Sequence, residues 1–493
     1  MSLPLTLRPG LAAAACALLL AGCAGFTADG GFGTAASAAR ERLGKDALWV
    51  RSDQDRAEVY QRTQALLAQP LDADSAVQIA LLNNAGLQAA FAELGISEAE
   101  YVQATRLPNP GFSFSRTRQG DDLKIDRAIS VGLMNLLVLP LAARIEQDRF
   151  SQTRLAVADT LLRHALETRK AFVNAVAAEQ SARYAEQVKN AAETGALFAR
   201  DLARAGNVSA LDHAREQAFY ADAASQLARA RQQALAAREQ LTRRLGLWGT
   251  GAQYRLPERL PDLPTTRPAL ADLEGYAIAS RLDLQAGRLQ LDSLARSLGL
   301  TRATRFVSVI DVAYLHNTET AKPRETGYGI NIEIPLFDWG GARVARAEAV
   351  YMQAASRLAE NAINARSEVR ETYAGYQARY DIARHYRDEV VPLRKRIADE
   401  SLLRYNGMLV SVFELLTDAR DQVGAVNGYL DALREYWVAE TELQGALGGR
   451  LPDAGAASSP ASPTVPARAG ASPSPASAAA AAGPASIAVP KGQ

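Results

Sequence analysis

Residues 326–349 read TGYGINIEIPLFDWGGARVARAEA, and this stretch decides the fold. Tyr328, Ile330, Ile332 and Ile334 alternate with Gly329, Asn331 and Glu333, so a strand from Tyr328 to Ile334 has one apolar and one polar face. Pro335 stops it, and Gly340-Gly341 turns the chain into a polar, Ala-rich helical stretch. With no proline before Pro392, that helix is expected from Gly341 to about Leu403, roughly 60 residues or about 90 Å.

The same unit occurs earlier. Residues 127–149, RAISVGLMNLLVLPLAARIEQDR, carry an alternating run (Ile129, Val131, Leu133), then Pro140, then a helix expected from Leu141 to about Ala203. Each strand has a partner before it: Gly111 to Arg116 across a turn at Gly120-Asp121-Asp122, and Phe306 to Leu315 across a polar loop from His316 to Thr326. The chain is an internal duplication in which each half runs helix, hairpin, long helix, short loop, second helix.

The reading divides the chain at 1–22 (signal peptide), 23–70 (lipid-anchored segment), 71–254 (first repeat), 255–270 (linker), 271–449 (second repeat) and 450–493 (tail). Arg8 and the apolar run Leu11 to Leu20, too short to span a bilayer, precede Leu20-Ala21-Gly22-Cys23. That tetrapeptide resembles the lipobox of bacterial lipoproteins, so Cys23 is the expected acylation site. Ala24, rather than Asp, implies by the same resemblance sorting to the outer membrane. Cys16 lies in the signal, which leaves no thiol pair for a disulfide or cysteine metal site in the mature chain. The linker, RLPERLPDLPTTRPAL, carries Pro257, Pro261, Pro264 and Pro268 and reads as extended. The Ala/Pro/Ser-rich tail lacks the large apolar residues needed to fold.

Composition excludes several classes. A net charge of +1 gives no footprint for nucleic acid. The four histidines (His164, His213, His316, His385) form no i, i+4 pair. No nucleophile elbow, phosphate loop or dinucleotide fingerprint is present, so no cofactor is expected. Four strands cannot close a membrane barrel, whereas three copies supply about 12. Ile332 and its alternates then face lipid, with Asn331 and Glu333 toward the lumen. A soluble α+β protein, a periplasmic coiled-coil tether and a lipid-tethered enzyme are the competing classes.

The two long helices return after Gly206 and Gly407. Ser209 precedes Asp212, and Ser411 precedes Glu414, each by the three residues of a capping box. Small and apolar positions recur on the returning helices: Leu211, Ala214, Ala218 and Ala221, then Leu227 to Leu241, and in the second half Val426, Leu430, Leu433 and Trp437.

This layout, with LDADSAVQIALLNNAGLQAAF (71–91), LPNPGFSF (107–114), IPLFDWGGARVARAEA (334–349) and the run 404–449 from RYNGMLVSVFELLTDAR, resembles the outer-membrane efflux factors, the TolC-like exit ducts of tripartite pumps, in their lipoprotein branch. The resemblance implies a mainly α fold with a small β part. The homotrimer would join an α-barrel of long coiled-coil helices to a 12-stranded membrane β-barrel. It implies a periplasmic adaptor and an inner-membrane transporter as partners, with small molecules or metal ions as cargo. A type I protein-secretion duct is the alternative. Carried over by position, the adaptor-binding tip is Arg204, Gly206, Ser209, Arg404, Tyr405, Gly407 and Ser411, and the periplasmic gate is Asp212 and Glu414. The family commonly sets Arg-Tyr two residues before the glycine; here only Asn406 intervenes.

Overall fold

The computed structural model describes residues 25–249, 253–266, 270, 272–306, 309–449 and 451. Cys23, the signal segment and the tail lie outside them. The chain after residue 25 packs α1 (Gly33–Ala38), a π turn (Ala39–Leu43) and α2 (Asp53–Leu67) onto the first repeat. That repeat holds α3 (Ala73–Asn83), α4 (Ala85–Ala104), β1 (Gly111–Gln119), β2 (Asp122–Gly132), α5 (Leu133–Arg204) and α6 (Ala210–Leu245). The second repeat answers element by element with α7 (Leu273–Ser280), α8 (Leu282–Ala303), β3 (Ile310–Glu319), β4 (Glu325–Ile332), α9 (Gly341–His385), α10 (Val391–Asn406) and α11 (Val412–Ala446).

The two hairpins join into one antiparallel sheet, β1-β2-β3-β4, because β2 pairs with β3 across the repeats. Both outer edges stay open within the chain. All four strands depart from the expected bounds. β4 begins at Glu325 and ends at Ile332, leaving Ile334 beyond it, although the Glu333 amide still donates to the Val309 carbonyl. β3 runs Ile310–Glu319, so His316 to Glu319 form strand rather than loop. Their alternation was invisible because both faces are polar there; their backbone partners on β2 and β4 hold them extended.

The helices also differ from expectation. α5 starts at Leu133, not Leu141, and carries Pro140 as its eighth residue; its 72 residues span about 108 Å. A proline near a helix start forfeits only one hydrogen bond, and the apolar turn before it remains helical. The second long helix is broken: α9 ends at His385, a π turn follows (Tyr386–Val390), and α10 begins with Pro392 in its first turn. Pro392 has no amide hydrogen for the Asp388 carbonyl, which accounts for a wide turn at that place.

The core lies where both repeats meet. Phe172 and Val176 of α5, Leu241 and Leu245 of α6, Tyr376 and Tyr380 of α9 and Tyr436 of α11 are buried together. The Tyr376 and Tyr436 rings stand 5.6 Å apart. The proline-rich segment is extended, as expected, but it is a strap rather than a free spacer. Leu260 and Leu263 are buried, the Trp437 indole donates to the Pro261 carbonyl, and the Tyr380 hydroxyl donates to that of Pro264.

On α6, Leu227 and Leu241 point inward as expected, but Leu211, Ala214, Ala218 and Ala221 are exposed in the single chain. Glu216 and Ala223 take the inward positions near the tip. The small-residue stripe was real; the face it covers is not this chain's own core.

Candidate duct surfaces and helical tips

The sheet separates charge by face. Register puts Ile332 opposite Ile310, Ile330 in line with Val312 and Val131, and Tyr328 in line with Tyr314, Ile129 and Phe112. These rows form one exposed apolar face, with the Tyr314 and Tyr328 rings in an edge contact at 6.0 Å. Asn331, in register with Asp311 and Gly132, lies on the other face, and the same parity applies to Glu333 just past the strand.

Every strand carboxylate shares the Asn331 face: Asp122, Asp126, Asp311, Glu319 and Glu325. One cation, Lys124, accompanies them, 3.4 Å from Asp126. Every strand arginine (Arg116, Arg118, Arg127) and His316 occupy the opposite, apolar face. A period-2 backbone converts this into a polar, acidic wall backed by a greasy one.

At the far ends of the helices, the two reversals superimpose in their hydrogen bonds but not in their sequence. In the first, Ala205 closes α5, Gly206 is left-handed at φ +76°, and the Asn207 amide reaches back to the Leu202 carbonyl. Ser209 then caps α6, accepting from the Asp212 amide at 3.1 Å and donating its hydroxyl to the Asp212 carboxylate at 2.6 Å. Arg215 adds an ion pair to Asp212 at 3.2 Å. In the second, Gly407 closes α10, Met408 is left-handed at φ +58°, and the Leu409 amide reaches the Arg404 carbonyl. Ser411 accepts from the Glu414 amide at 3.2 Å.

The two glycines after which the long helices return are therefore not equivalent. Gly407 does not supply the left-handed residue; its φ is −83°, and the corresponding residue to Gly206 is Met408, three before the capping serine in both tips. The one-residue offset between Arg404-Tyr405 and the glycine has the same origin: glycine sits one place early. Arg204 is held by Asp201 at 3.8 Å and Arg404 by Glu400 at 3.1 Å, both on their own helices. Tyr405 is on the last turn of α10.

Sequence reasoning missed a buried ion pair between the two helical hairpins. Glu216 of α6, 2% exposed, accepts from Arg420 of α11 at 2.6 Å. The Arg420 guanidinium lies 4.2 Å from the Phe219 ring centroid. Phe198 and Leu202 of α5 line a small apolar seam with Val412, Phe413 and Leu416 of α11 beside that pair. The available signal was a charged residue, Glu216, set between Ala214 and Ala218 and so on the face of the helix opposite the small-residue stripe.

Nearer the core, a cleft of about 520 Å³ is lined by charges of both signs, including Arg163, Lys170, Glu371 and Glu442. Arg281 spans Asp283 at 2.8 Å and Glu368 at 2.6 Å. Burial pushes the Asp283 carboxyl up, but Arg281 outweighs it and holds that group below the usual carboxylate range. Burial raises Asp159 in the same cleft. Among the described residues no cluster of three histidine, cysteine or acidic side chains is arranged to hold a metal ion, and no described helix is long and apolar enough to cross a membrane.

Comparison with known proteins gives a consistent result. The family described as outer membrane efflux protein matches residues 275–449. The cobalt-zinc-cadmium resistance protein CzcC of Cupriavidus metallidurans is 25% identical over 398 residues, 77% of this chain and 91% of that protein. Among solved structures, the Campylobacter jejuni outer membrane channel CmeC aligns with TM-score 0.67 at 18% identity, over 78% of this chain and 87% of that one. CusC, solved in a study of transmembrane channel formation, aligns with TM-score 0.63 at 19% identity, over 76% and 92%. The matched second repeat and the likeness over about three quarters of the chain agree: residues 275–449 match the outer membrane efflux protein family, and the chain has the fold of these channels.

Proposed function

We propose that the chain is the outer-membrane exit duct of a tripartite efflux system and works as a homotrimer. The observation that carries this reading is the two-faced sheet with two open edges. Unpaired strand edges are not tolerated in a bilayer, and 12 strands from three copies would close them. The apolar face would then meet lipid and the acidic face an aqueous lumen. The exposed Ala214, Ala218 and Ala221 stripe supports a helical barrel, since small residues let neighbouring helices approach closely.

The cargo we infer is cationic. CzcC is named for cobalt, zinc and cadmium resistance, and a wall with Asp122, Asp126, Asp311, Glu319 and Glu325 against Lys124 favours cations along its length. The tips carry Arg204, Gly206, Ser209, Arg404, Tyr405, Gly407 and Ser411 as the surface for a periplasmic adaptor, which links the duct to an inner-membrane transporter. Glu414 is the better gate carboxylate of the two: Asp212 is engaged by Ser209 and Arg215, whereas no ion pair holds Glu414 among the described residues. Cys23 would carry the lipid anchor. In support, the chain just after it is fastened down: the buried Glu98 carboxylate accepts from both the Thr27 amide and hydroxyl at 2.6 Å.

Planar-bilayer recording tests the reading. Purified trimer should give a cation-selective pore, and Asp311→Asn should lower that selectivity. Absence of any pore from a heat-stable trimer would refute the duct. Separately, Cys23→Ser should abolish palmitate labelling; continued labelling would remove the anchor from the account.

A further inference from the structure

We propose that the outward face of the sheet carries a phosphate-binding collar for the lipid headgroups of the outer leaflet, formed by Arg116, Arg118 and Arg127. The proposal rests on the barrel reading above. Three observations lead to it.

The first is position. Arg127 lies in register with Phe114 and His316, Arg116 with Ile125, and Arg118 with Leu123, all on the face that carries Ile332. From Ile310, opposite Ile332, to Thr320, whose amide bonds Leu123, the chain makes about ten residue steps. That is about 33 Å along the strand and about 25 Å along the membrane normal at the usual tilt, the height of an outer-membrane apolar band. The helices leave from the Ile332 end, so Arg116 and Arg118 stand at the opposite, outer boundary. Arg127 is one level lower, within reach of it by its long side chain.

The second is the lack of partners. None of the three guanidinium groups has a carboxylate within ion-pair distance among the described residues; Arg118 donates only to the Gly120 carbonyl. Closing the barrel would not supply one. The strand that would meet β1 is β4 of the next copy, whose residues on this face are Thr326, Tyr328, Ile330 and Ile332. Five strand carboxylates exist, and all face the other way.

The third is chemistry. Three unpaired planar cations beside an apolar band match a ligand with acyl chains below and phosphate oxygens above, which guanidinium groups grip in pairs of hydrogen bonds. A soluble anion would have no use for the apolar rows beneath. The lumenal Lys124, already paired with Asp126, provides an internal control.

The test uses detergent-purified trimer and native mass spectrometry, with hexa-acylated lipid A as the probe, with and without its two phosphates. Wild type should bind the phosphorylated lipid, and Arg116→Gln/Arg118→Gln/Arg127→Gln should weaken that binding at least about tenfold. Lys124→Gln should bind like wild type, and the phosphate-free lipid should bind wild type as weakly as the phosphorylated lipid binds the triple variant. Recovery of heat-stable trimer certifies insertion of each variant; if the triple variant yields none, Arg118→Gln alone should still weaken binding about threefold. Equal binding of both lipids to wild-type trimer, or full binding by a trimeric arginine variant, would overturn the collar while leaving the barrel intact. Wild type that forms no heat-stable trimer would instead count against the barrel itself, and the collar falls with it.

Discussion

The two helical tips have the same backbone and different residues at its most demanding position. Gly206 occupies the left-handed site of the first at φ +76°, where glycine pays no steric penalty; Met408 occupies that of the second at φ +58°. Met408 is also 94% exposed, and Leu409 beside it 77%. A solvent-facing methionine held in an unfavourable conformation, one residue after a glycine that could have relieved it, gains nothing for the folded monomer. Strain of this kind collects where a surface is used. The first tip is built as a stable turn and the second as a presented one.

Breaking the link between the tips should have the largest effect. Glu216 is buried against Arg420, and Arg420→Ala leaves its charge unpaired, a loss of about 3–5 kcal/mol for a buried pair. Hydrogen exchange should rise in α6 and α11 near the seam while the core around Tyr376 and Tyr436 stays protected. Unchanged exchange would mean that the apolar seam alone joins the hairpins.

Exchanging the left-handed residues comes next. Gly206→Met should cost about 1–2 kcal/mol, because the first tip would acquire the strain of the second. Met408→Gly should instead stabilise by a few tenths to about 1 kcal/mol and weaken adaptor cross-linking at the second tip. If both substitutions moved thermal stability in the same direction, the tips would not differ in the way described.

The caps sharpen the comparison further. Ser209→Ala and Ser411→Ala should each cost about 1 kcal/mol, with Ser209 the more expensive because its hydroxyl also serves the Asp212 carboxylate. Smallest of all should be Gly407→Ala. Its φ is ordinary, and a Cβ there would meet nothing closer than 3.5 Å. A change beyond about 0.5 kcal/mol in unfolding free energy would contradict the shifted register.

Much of this was readable in advance, for definite reasons. Alternation in Tyr328 to Ile332 and in Ile129 and Val131 announced both hairpins, since a strand with one apolar face carries a period. Gly340 announced the turn into α9: it is left-handed, and a Cβ there would lie 2.7 Å from the Arg305 carbonyl oxygen. Ser209 and Ser411 announced the caps. The outer halves of the strands were hidden because His316 to Glu319 have no apolar face to alternate. Pro140 misled because a helix tolerates proline near its start, whereas Pro392, with no amide hydrogen for the Asp388 carbonyl, does open a wide turn at Tyr386–Val390 in an otherwise continuous helical stretch. The Glu216–Arg420 pair required knowing which helices are neighbours across a separation of 204 residues.

The central claim is that the apolar face of the sheet meets lipid and the acidic face meets water. Ile332 and Asn331 are adjacent and point oppositely, so substituting each by arginine holds everything constant except the face. An arginine on the lipid side of a barrel costs about 2–4 kcal/mol near the midplane and about 1 kcal/mol or less toward the boundary where Ile332 lies, in each of three copies, and little on the lumen side. The account predicts that Ile332→Arg reduces heat-stable trimer in outer-membrane fractions, while Asn331→Arg assembles normally and only lowers cation conductance. Equal amounts of trimer from the two variants would contradict it.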